Sequence, residues 1–313
     1  MDNPRFGVQL SGRVYLMIAI LIFGAANSVT RRLTELGAAN FLDGRNPISF
    51  CNVLFVGNLC ALGLLLIIYH QQLRLPLLRQ ITGKQWAILS LIATLSAAVV
   101  PTLIFTALSQ TSVNTVILVG QIDTPLVLAL SVCLLGDRVN GWVIGGAVVS
   151  FIGVGLTVLL QPSNPDAVQM AGGLQIGQGE LLTIVAAIFK AIANLVSKVS
   201  LKTIPLGIFN VYRMLVGTVV FFVIVLILFE PSHLMDVTSP FLWRWMLLYS
   251  AVIVVGGQLA WFTGLKQSTA SEISLATAFT PIAGVLAAFL ILGEVPTTAQ
   301  YIGGAVILVG YCA

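Results

Sequence analysis

One stretch of this chain occurs twice, and the repetition limits the fold more than any other feature. FTALSQTSVNTVILVGQIDTPLVLALSVCLLGDRVNGWVIGGA at Phe105–Ala147 returns as FTGLKQSTASEISLATAFTPIAGVLAAFLILGEVPTTAQYIGGA at Phe262–Ala305. Phe105-Thr106 answers to Phe262-Thr263, Gln110 to Gln267, and Pro125 to Pro281. Gly136-Asp137 answers to Gly293-Glu294, and Ile144-Gly145-Gly146-Ala147 to Ile302-Gly303-Gly304-Ala305. The offset stays between 156 and 158 residues, so single-residue gaps align the copies. The chain reads as an internal duplication.

The solvent of the two units follows from charge. Only 8% of the 313 residues are charged and 58% are hydrophobic, with mean hydropathy +1.02. A soluble domain carries roughly 25% charged residues. This chain has too few to dress a water-facing surface, so lipid is its solvent, and each crossing needs ~20 apolar residues. Five spans are expected in the first unit: Val14–Thr30, Pro47–Tyr69, Trp86–Ala107, Asn114–Leu135 and Trp142–Leu160. Five more follow at Glu180–Ser200, Pro205–Phe229, Trp243–Leu265, Ser271–Leu292 and Thr298–Ala313. Gln161–Gln178 is rich in Pro, Gly, Gln and Asn, has no apolar period, and reads as a linker. The expected fold class is an all-α integral membrane protein, with units at residues 1–160 and 179–313 joined by 161–178.

The first span has the look of a signal peptide. Its end, Ala26-Asn27-Ser28-Val29-Thr30-Arg31, is nevertheless echoed at Ala193-Asn194-Leu195-Val196-Ser197-Lys198. A cleaved segment would not be duplicated inside the mature protein. The last span stops without a polar tail, so a chain running on past Ala313 is expected.

Five spans per unit is an odd number. The second unit must enter the membrane from the opposite side, which predicts ten transmembrane helices arranged as two inverted-topology repeats. Lys and Arg orient the chain. With a cytoplasmic N-terminus the inside segments hold Arg5, Arg13, Arg74, Arg79, Lys84, Arg138, Lys198, Lys202 and Lys266. The outside segments hold only Arg31, Arg32, Arg45 and Arg244. Both termini are therefore expected in the cytoplasm, with the chain in a bacterial inner (plasma) membrane.

Three charges lie well inside spans: Asp123, Lys190 and Arg213. A charge at mid-bilayer costs at least ~2.5–3.5 kcal/mol and tends to face a partner or a cavity. Asp123 and Lys190 have opposite sign at similar depth. They are expected to handle substrate or a proton in a shared polar cavity; the alternative is a structural ion pair locking the halves. Arg213, about two turns into its span, is expected to snorkel toward a membrane face.

Helical spacing adds neutral groups. Thr183, Lys190, Asn194 and Ser197 share one stripe, and Gly24, Asn27 and Arg31 make the matching stripe on the first span. Asn114, Gln121 and Thr124 share a face, while Asp123 points roughly the other way. Both faces reach one cavity only if the helix is distorted there. Pro125 supplies a cause, since it removes the N–H that the Gln121 carbonyl would bond. Pro101 does the same to Ala97, and Pro281 to Thr277. Such carbonyls either line a cavity or are re-bonded by neighbours. Gln258 and Trp261 sit one turn apart, an amide beside an aromatic face, and suit a small polar or aromatic solute; Trp261 as filler is the alternative. Thr280 completes the candidate substrate-binding set of Asp123, Lys190, Gln121, Asn27, Asn194, Gln258, Trp261 and Thr280.

Other residues carry structural expectations. Gly145, Gly146, Gly153 and Gly155, with Gly303, Gly304 and Gly310, let helices approach closely. Asp137 and Glu294 sit at interhelical turns, where helix capping or interface solvation is expected. Cys51, Cys60, Cys133 and Cys312 lie in apolar runs without metal-ligand spacing and are expected to be buried small hydrophobes. No P-loop, GxSxG or paired-aspartate protease pattern is present. His70 and His233 fall outside the expected spans. No catalytic residue, metal or cofactor is expected, and the basic residues form no stripe for nucleic acid.

The end of each copy resembles a known family. LGEVPTTAQYIGGAVILVG at Leu292–Gly310 is similar to the closing helix of the ten-helix EamA-like branch of the drug/metabolite transporter superfamily. LGDRVNGWVIGGAVVSFIGVG at Leu135–Gly155 is a worn first copy, and IFGAANSVTRR and IFKAIANLVSK resemble the family's first helix. Departures exist: Phe55 stands where Arg213 matches a family arginine, and Phe23-Gly24 where tryptophan-glycine is common. The resemblance implies a cavity between helices one, three, four, six, eight and nine. It also implies gradient-driven, mostly outward movement of amino acids or related metabolites. The expected function is secondary active transport by alternating access, with protons as candidate coupling ion. A facilitative channel or lipid scramblase is the rival.

Overall fold

Helix formation follows the polar punctuation between the apolar runs. The computed structural model describes residues 11–41, 46–73, 75–136, 141–160, 168–169, 175–228, 239–268, 276 and 279–312. The first half contains α1 (Gly12–Ala38), α2 (Phe50–Tyr69), α3 (Gly83–Gln110), α4 (Val113–Leu134) and α5 (Gly141–Leu159). The second contains α6 (Gln178–Ser200), α7 (Leu206–Leu228), α8 (Pro240–Gly264), α9 (Thr280–Leu292) and α10 (Thr298–Cys312). Seven of them, α1 to α4 and α6 to α8, are long and apolar enough to cross a membrane; α5, α9 and α10 contribute shorter apolar segments. Most of the expected span before Thr280 lies outside the described residues. Within the linker, Val168–Gln169 pairs antiparallel with Gln175–Ile176, a two-residue ladder in an otherwise helical chain.

Short polar residues start the helices. Ser49 caps α2 by accepting from the Asn52 N–H at 3.4 Å. Thr82 and Gln85 form a reciprocal capping box at α3, and Ser112 caps α4 by accepting from the Thr115 N–H at 3.1 Å. At the other end, α4 and α9 stop at Gly136 and Gly293, whose φ values of 66° and 70° suit a residue without a Cβ. The Gly-acid landmark shared by both copies is a helix stop. His70 belongs to a 3₁₀ turn that prolongs α2 to Gln72, nearer the membrane segment than expected.

Both α3 and α8 widen into a π-helical stretch, Leu95–Val99 and Ser250–Gly256, at equivalent points of the two copies. α2 bonds both stretches, once through a side chain and once through its backbone. Asn58 Nδ2 donates to the Ala97 carbonyl at 3.2 Å, replacing the N–H that Pro101 lacks. Ser250 Oγ donates to the Gly57 carbonyl at 2.7 Å. The Gln121 carbonyl is likewise re-bonded, by the Thr124 N–H at 3.2 Å. Both proline-freed carbonyls are re-bonded, and Ala97 and Gln121 also line internal cavities. Thr277 lies outside the described residues.

The packing is reciprocal between the halves. α1 lies against α8 and α9, as α6 lies against α3 and α4; α2 meets α7, and α5 meets α10 most extensively of all. Glycines make that last approach possible. A Cβ on Gly153 would stand 2.7 Å from the Ile307 nitrogen and 2.8 Å from the Gly303 carbonyl oxygen, and one on Gly303 would collide with Thr157. Cys51 and Cys60 are buried as expected, whereas Cys133 is exposed, because an apolar thiol on an outward face suits hydrocarbon as well as a core. The side chain of Cys312 lies outside the described residues. Overpacking of this kind costs about 1–3 kcal/mol. Gly303→Leu is expected to lower the melting temperature by several degrees in detergent, while Gly145→Leu, with nothing within 4 Å of its Cβ position, leaves it unchanged.

Candidate functional site

The polar stripe on α6 turns inward. Thr183, Lys190 and Asn194 line a cavity of about 600 Å³, joined by Gly24 and Asn27 from α1, Gln121 from α4, Trp261 from α8 and Thr280 from α9. Its described walls come from α1, α3, α4, α6, α8 and the start of α9, the six helices that the resemblance implies. Ser197, expected on the same stripe, instead donates to the Ala193 carbonyl at 2.6 Å. Phe23 and Trp261 meet edge to face, with centroids 6.4 Å apart and planes at 62°, and form an aromatic corner of the cavity.

Asp123 reaches this site from behind. α4 is interrupted at Gln121-Ile122, and Asp123 opens its second segment. That break is the distortion the spacing required, and it lets Gln121 and Asp123 serve one region. Lys190 Nζ lies 2.7 Å from Asp123 Oδ2, and Thr124 Oγ1 donates to Asp123 Oδ1 at 3.2 Å. The Asp123 side chain is 12% exposed and that of Lys190 52%. The ammonium thus stands at the cavity surface with its carboxylate shielded behind it. An ammonium has three N–H donors, so an ion pair with Asp123 leaves capacity facing the cavity. Lys190 both pairs and faces the cavity, whereas Asp123, expected to share that exposure, pairs from behind and is not among the lining residues.

Three placements differ from expectation. Gln258 does not share the cavity of Trp261; it lines a neighbouring cavity of about 180 Å³. Both residues lie on the α-helical segment after the π-helical stretch, three residues and so about 300° apart, short of a full turn, and they open onto adjacent cavities. Arg213 does not snorkel. It lines that same smaller cavity with Asn58, Ser96 and Met214, and its Nε is buried without a hydrogen-bond partner. Arg31 leaves its stripe: Nη1 donates to the carbonyls of Leu108 at 3.1 Å and Thr111 at 2.8 Å, and lies 3.8 Å from Glu294 Oε1.

These last contacts close one end of the helices. Glu294 accepts from the Val113 and Asn114 N–H groups at 3.3 and 3.2 Å, capping α4 as its turn position predicted. Asp137 lies outside the described residues. Thr111 Oγ1 donates to Glu180 at 2.8 Å, and Gln300 Nε2 donates to Ser112 and Thr115 at 3.1 and 2.9 Å. The sequence reading missed Tyr249, whose hydroxyl is 3.1 Å from Thr30 Oγ1 and whose ring lines both cavities with Pro101 and Phe105. Phe105 was marked by its place at the head of the duplicated stretch, but nothing in the sequence marked Tyr249. Among the described residues no group of three or more His, Cys, Asp or Glu is placed to hold a metal ion.

Long apolar helices around an internal cavity whose largely apolar wall holds a lysine and several amides define an integral membrane protein of the transport class. Residues 10–159 and 177–313 match the EamA-like transporter family. The chain belongs to that family, within the drug/metabolite transporter superfamily. An uncharacterized transporter of Synechocystis sp., sll1164, is 48% identical over 302 residues, covering 96% of this chain and 86% of its own length. Another uncharacterized transporter, YoaV of Bacillus subtilis, is 32% identical over 133 residues, covering 42% of this chain and 44% of its own. One solved crystal structure superposes with a TM-score of 0.60 at 18% identity, over 96% of this chain and 95% of that one, which shows a shared fold.

The ion pair makes a checkable energetic claim. Removing one partner of a shielded pair strands the other charge. Lys190 is open enough for screening to reduce the effect. Asp123→Ala and Lys190→Ala are each expected to destabilise the protein, and the double variant by less than their sum, with a coupling of about 1 kcal/mol by thermal denaturation. Strict additivity would show the two groups to be uncoupled.

Proposed function

We propose that this protein is a secondary active transporter of small polar metabolites, amino acids or close relatives, working by alternating access and exporting its substrate. The observation that carries this reading is Lys190 on the wall of the six-helix cavity, paired at 2.7 Å with Asp123 behind it. The lysine is the more open of the two side chains, so the pair presents its cation to the cavity instead of enclosing both charges between helices. In this reading Lys190 binds a substrate carboxylate and Asp123 takes its ammonium or a coupling proton. Asn27, Asn194, Gln121 and Thr280 hydrogen-bond the solute, and Trp261 forms an apolar wall.

The architecture proposed for this cycle is ten transmembrane helices in two inverted repeats, N-terminus cytoplasmic, in a bacterial inner membrane. The reciprocal packing of α1 with α8 and α9, and of α6 with α3 and α4, supports it. So does the closure through Arg31, Glu294 and Glu180 at one end, since alternating access requires a seal that can form on one side. The partners are a small-molecule substrate, the bilayer and protons, with no nucleic acid.

The test is transport in proteoliposomes. Counterflow of a labelled amino acid is expected to saturate. Lys190→Gln is expected to raise the half-saturating concentration at least about tenfold, the loss of one charge-assisted hydrogen bond. Asp123→Asn is expected to abolish the pH dependence of transport, and a pH profile unchanged in Asp123→Asn would reject its proton role. Flux that fails to saturate, or movement of labelled lipid, would assign the channel or scramblase reading instead.

A further inference from the structure

The smaller cavity is built from α2, α3, α7 and α8, midway along the helices and beside the central one. Pro101, Phe105 and Tyr249 belong to the walls of both, so a single layer of side chains separates them. Arg213 contributes the cationic wall. Its Nε is buried with no hydrogen-bond partner, and the buried Oε1 of Gln258 is an acceptor with none. No described carboxylate answers this guanidinium. Glu35 lies by Arg31 and Arg32, Asp123 is paired with Lys190, Glu180 accepts from Thr111, and Glu294 caps α4. An arginine at this depth is costly unless an anion or polar groups face it. The remaining walls offer Asn58, whose Nδ2 is committed to Ala97, and Ser96, whose hydroxyl donates to Ile92.

We propose that this cavity is a second binding site, a carboxylate subsite centred on Arg213. The guanidinium fork presents paired N–H donors in the spacing of a carboxylate's two oxygens. Gln258 Oε1 accepts an N–H from the same solute, so the site favours a carboxylate that carries an adjacent amine over one that does not. Tyr249, held by Thr30, stands on the wall between this subsite and the Asp123–Lys190 cavity. The site stands on Arg213 and its surroundings alone and requires nothing of the transport cycle.

Thermal unfolding of the full chain in detergent tests it, with glycine and sodium acetate as probes and sodium chloride at matched ionic strength as control. Both probes are expected to raise the melting temperature saturably, as ligands of a folded state do, with glycine half-saturating at the lower concentration. Arg213→Gln is expected to raise both half-saturating concentrations at least about tenfold, Arg213→Lys to raise them less, and Gly145→Leu, remote from both cavities, to leave them within twofold. Gln258→Met keeps the charge and is expected to erase the advantage of glycine while sparing acetate, which tests the site even if Arg213→Gln fails to fold. No stabilisation of the wild type, unchanged half-saturation in Arg213→Gln, or an equal response to chloride would each overturn the proposal. A response lost in Lys190→Gln but kept in Arg213→Gln would overturn it while leaving the central-cavity reading intact.

Discussion

In hydrocarbon no charge and no peptide group can lean on water, and the structure is organised by that constraint. Asp123 and Lys190 answer each other at 2.7 Å. The Ala97 carbonyl, deprived of a partner by Pro101, is met by Asn58 from another helix, and the Gln121 carbonyl, deprived by Pro125, by its own chain. In water such groups would be left to solvent at small cost. Here each becomes a fixed contact, so the polar residues, few as they are, decide where the helices sit against one another.

The same constraint explains why the cavity collects what it does. Six helices bring Asn27, Gln121, Lys190, Asn194, Trp261 and Thr280 to one space. Polar groups turned toward acyl chains would cost more than the helices gain by packing, so they converge. The closing contacts at one end show the opposite use of polarity. Arg31 and Glu294 bond backbone groups of α3 and α4, binding helices from both halves of the chain where the surroundings become aqueous.

Much of this was legible from residue spacing because most of the chain obeys the α-helical period. Thr183, Lys190 and Asn194 were placed on one face by counting, and the cavity holds all three. Gly136 and Gly293 fall at helix ends, in keeping with the interhelical turns expected at Asp137 and Glu294. Counting failed where a spacing short of a full turn was taken as one face or where a partner came from far along the chain. Gln258 and Trp261 share one α-helical segment but stand about 300° apart on it, so an i, i+3 spacing taken as one face overlooked that they open onto adjacent cavities. Arg213 was assigned to a membrane face by its distance from the helix end, yet α2, α3 and α8 wall it in, and no local pattern announces those neighbours. Tyr249 sits in an ordinary apolar run, and only its bond to Thr30, 219 residues away in sequence, gives it meaning.

The paired π-helical stretches carry a mechanical consequence. Each holds one more residue in its turn than an α-helix would. Were such a turn to rewind, everything beyond it would screw round by about 100° and slide by ~1.5 Å, the step of a single residue. Pro101 and Gln258 lie just downstream, one in each copy. A small change of winding in α3 or α8 would therefore re-aim the wall that the two cavities share, without moving either helix sideways through the lipid.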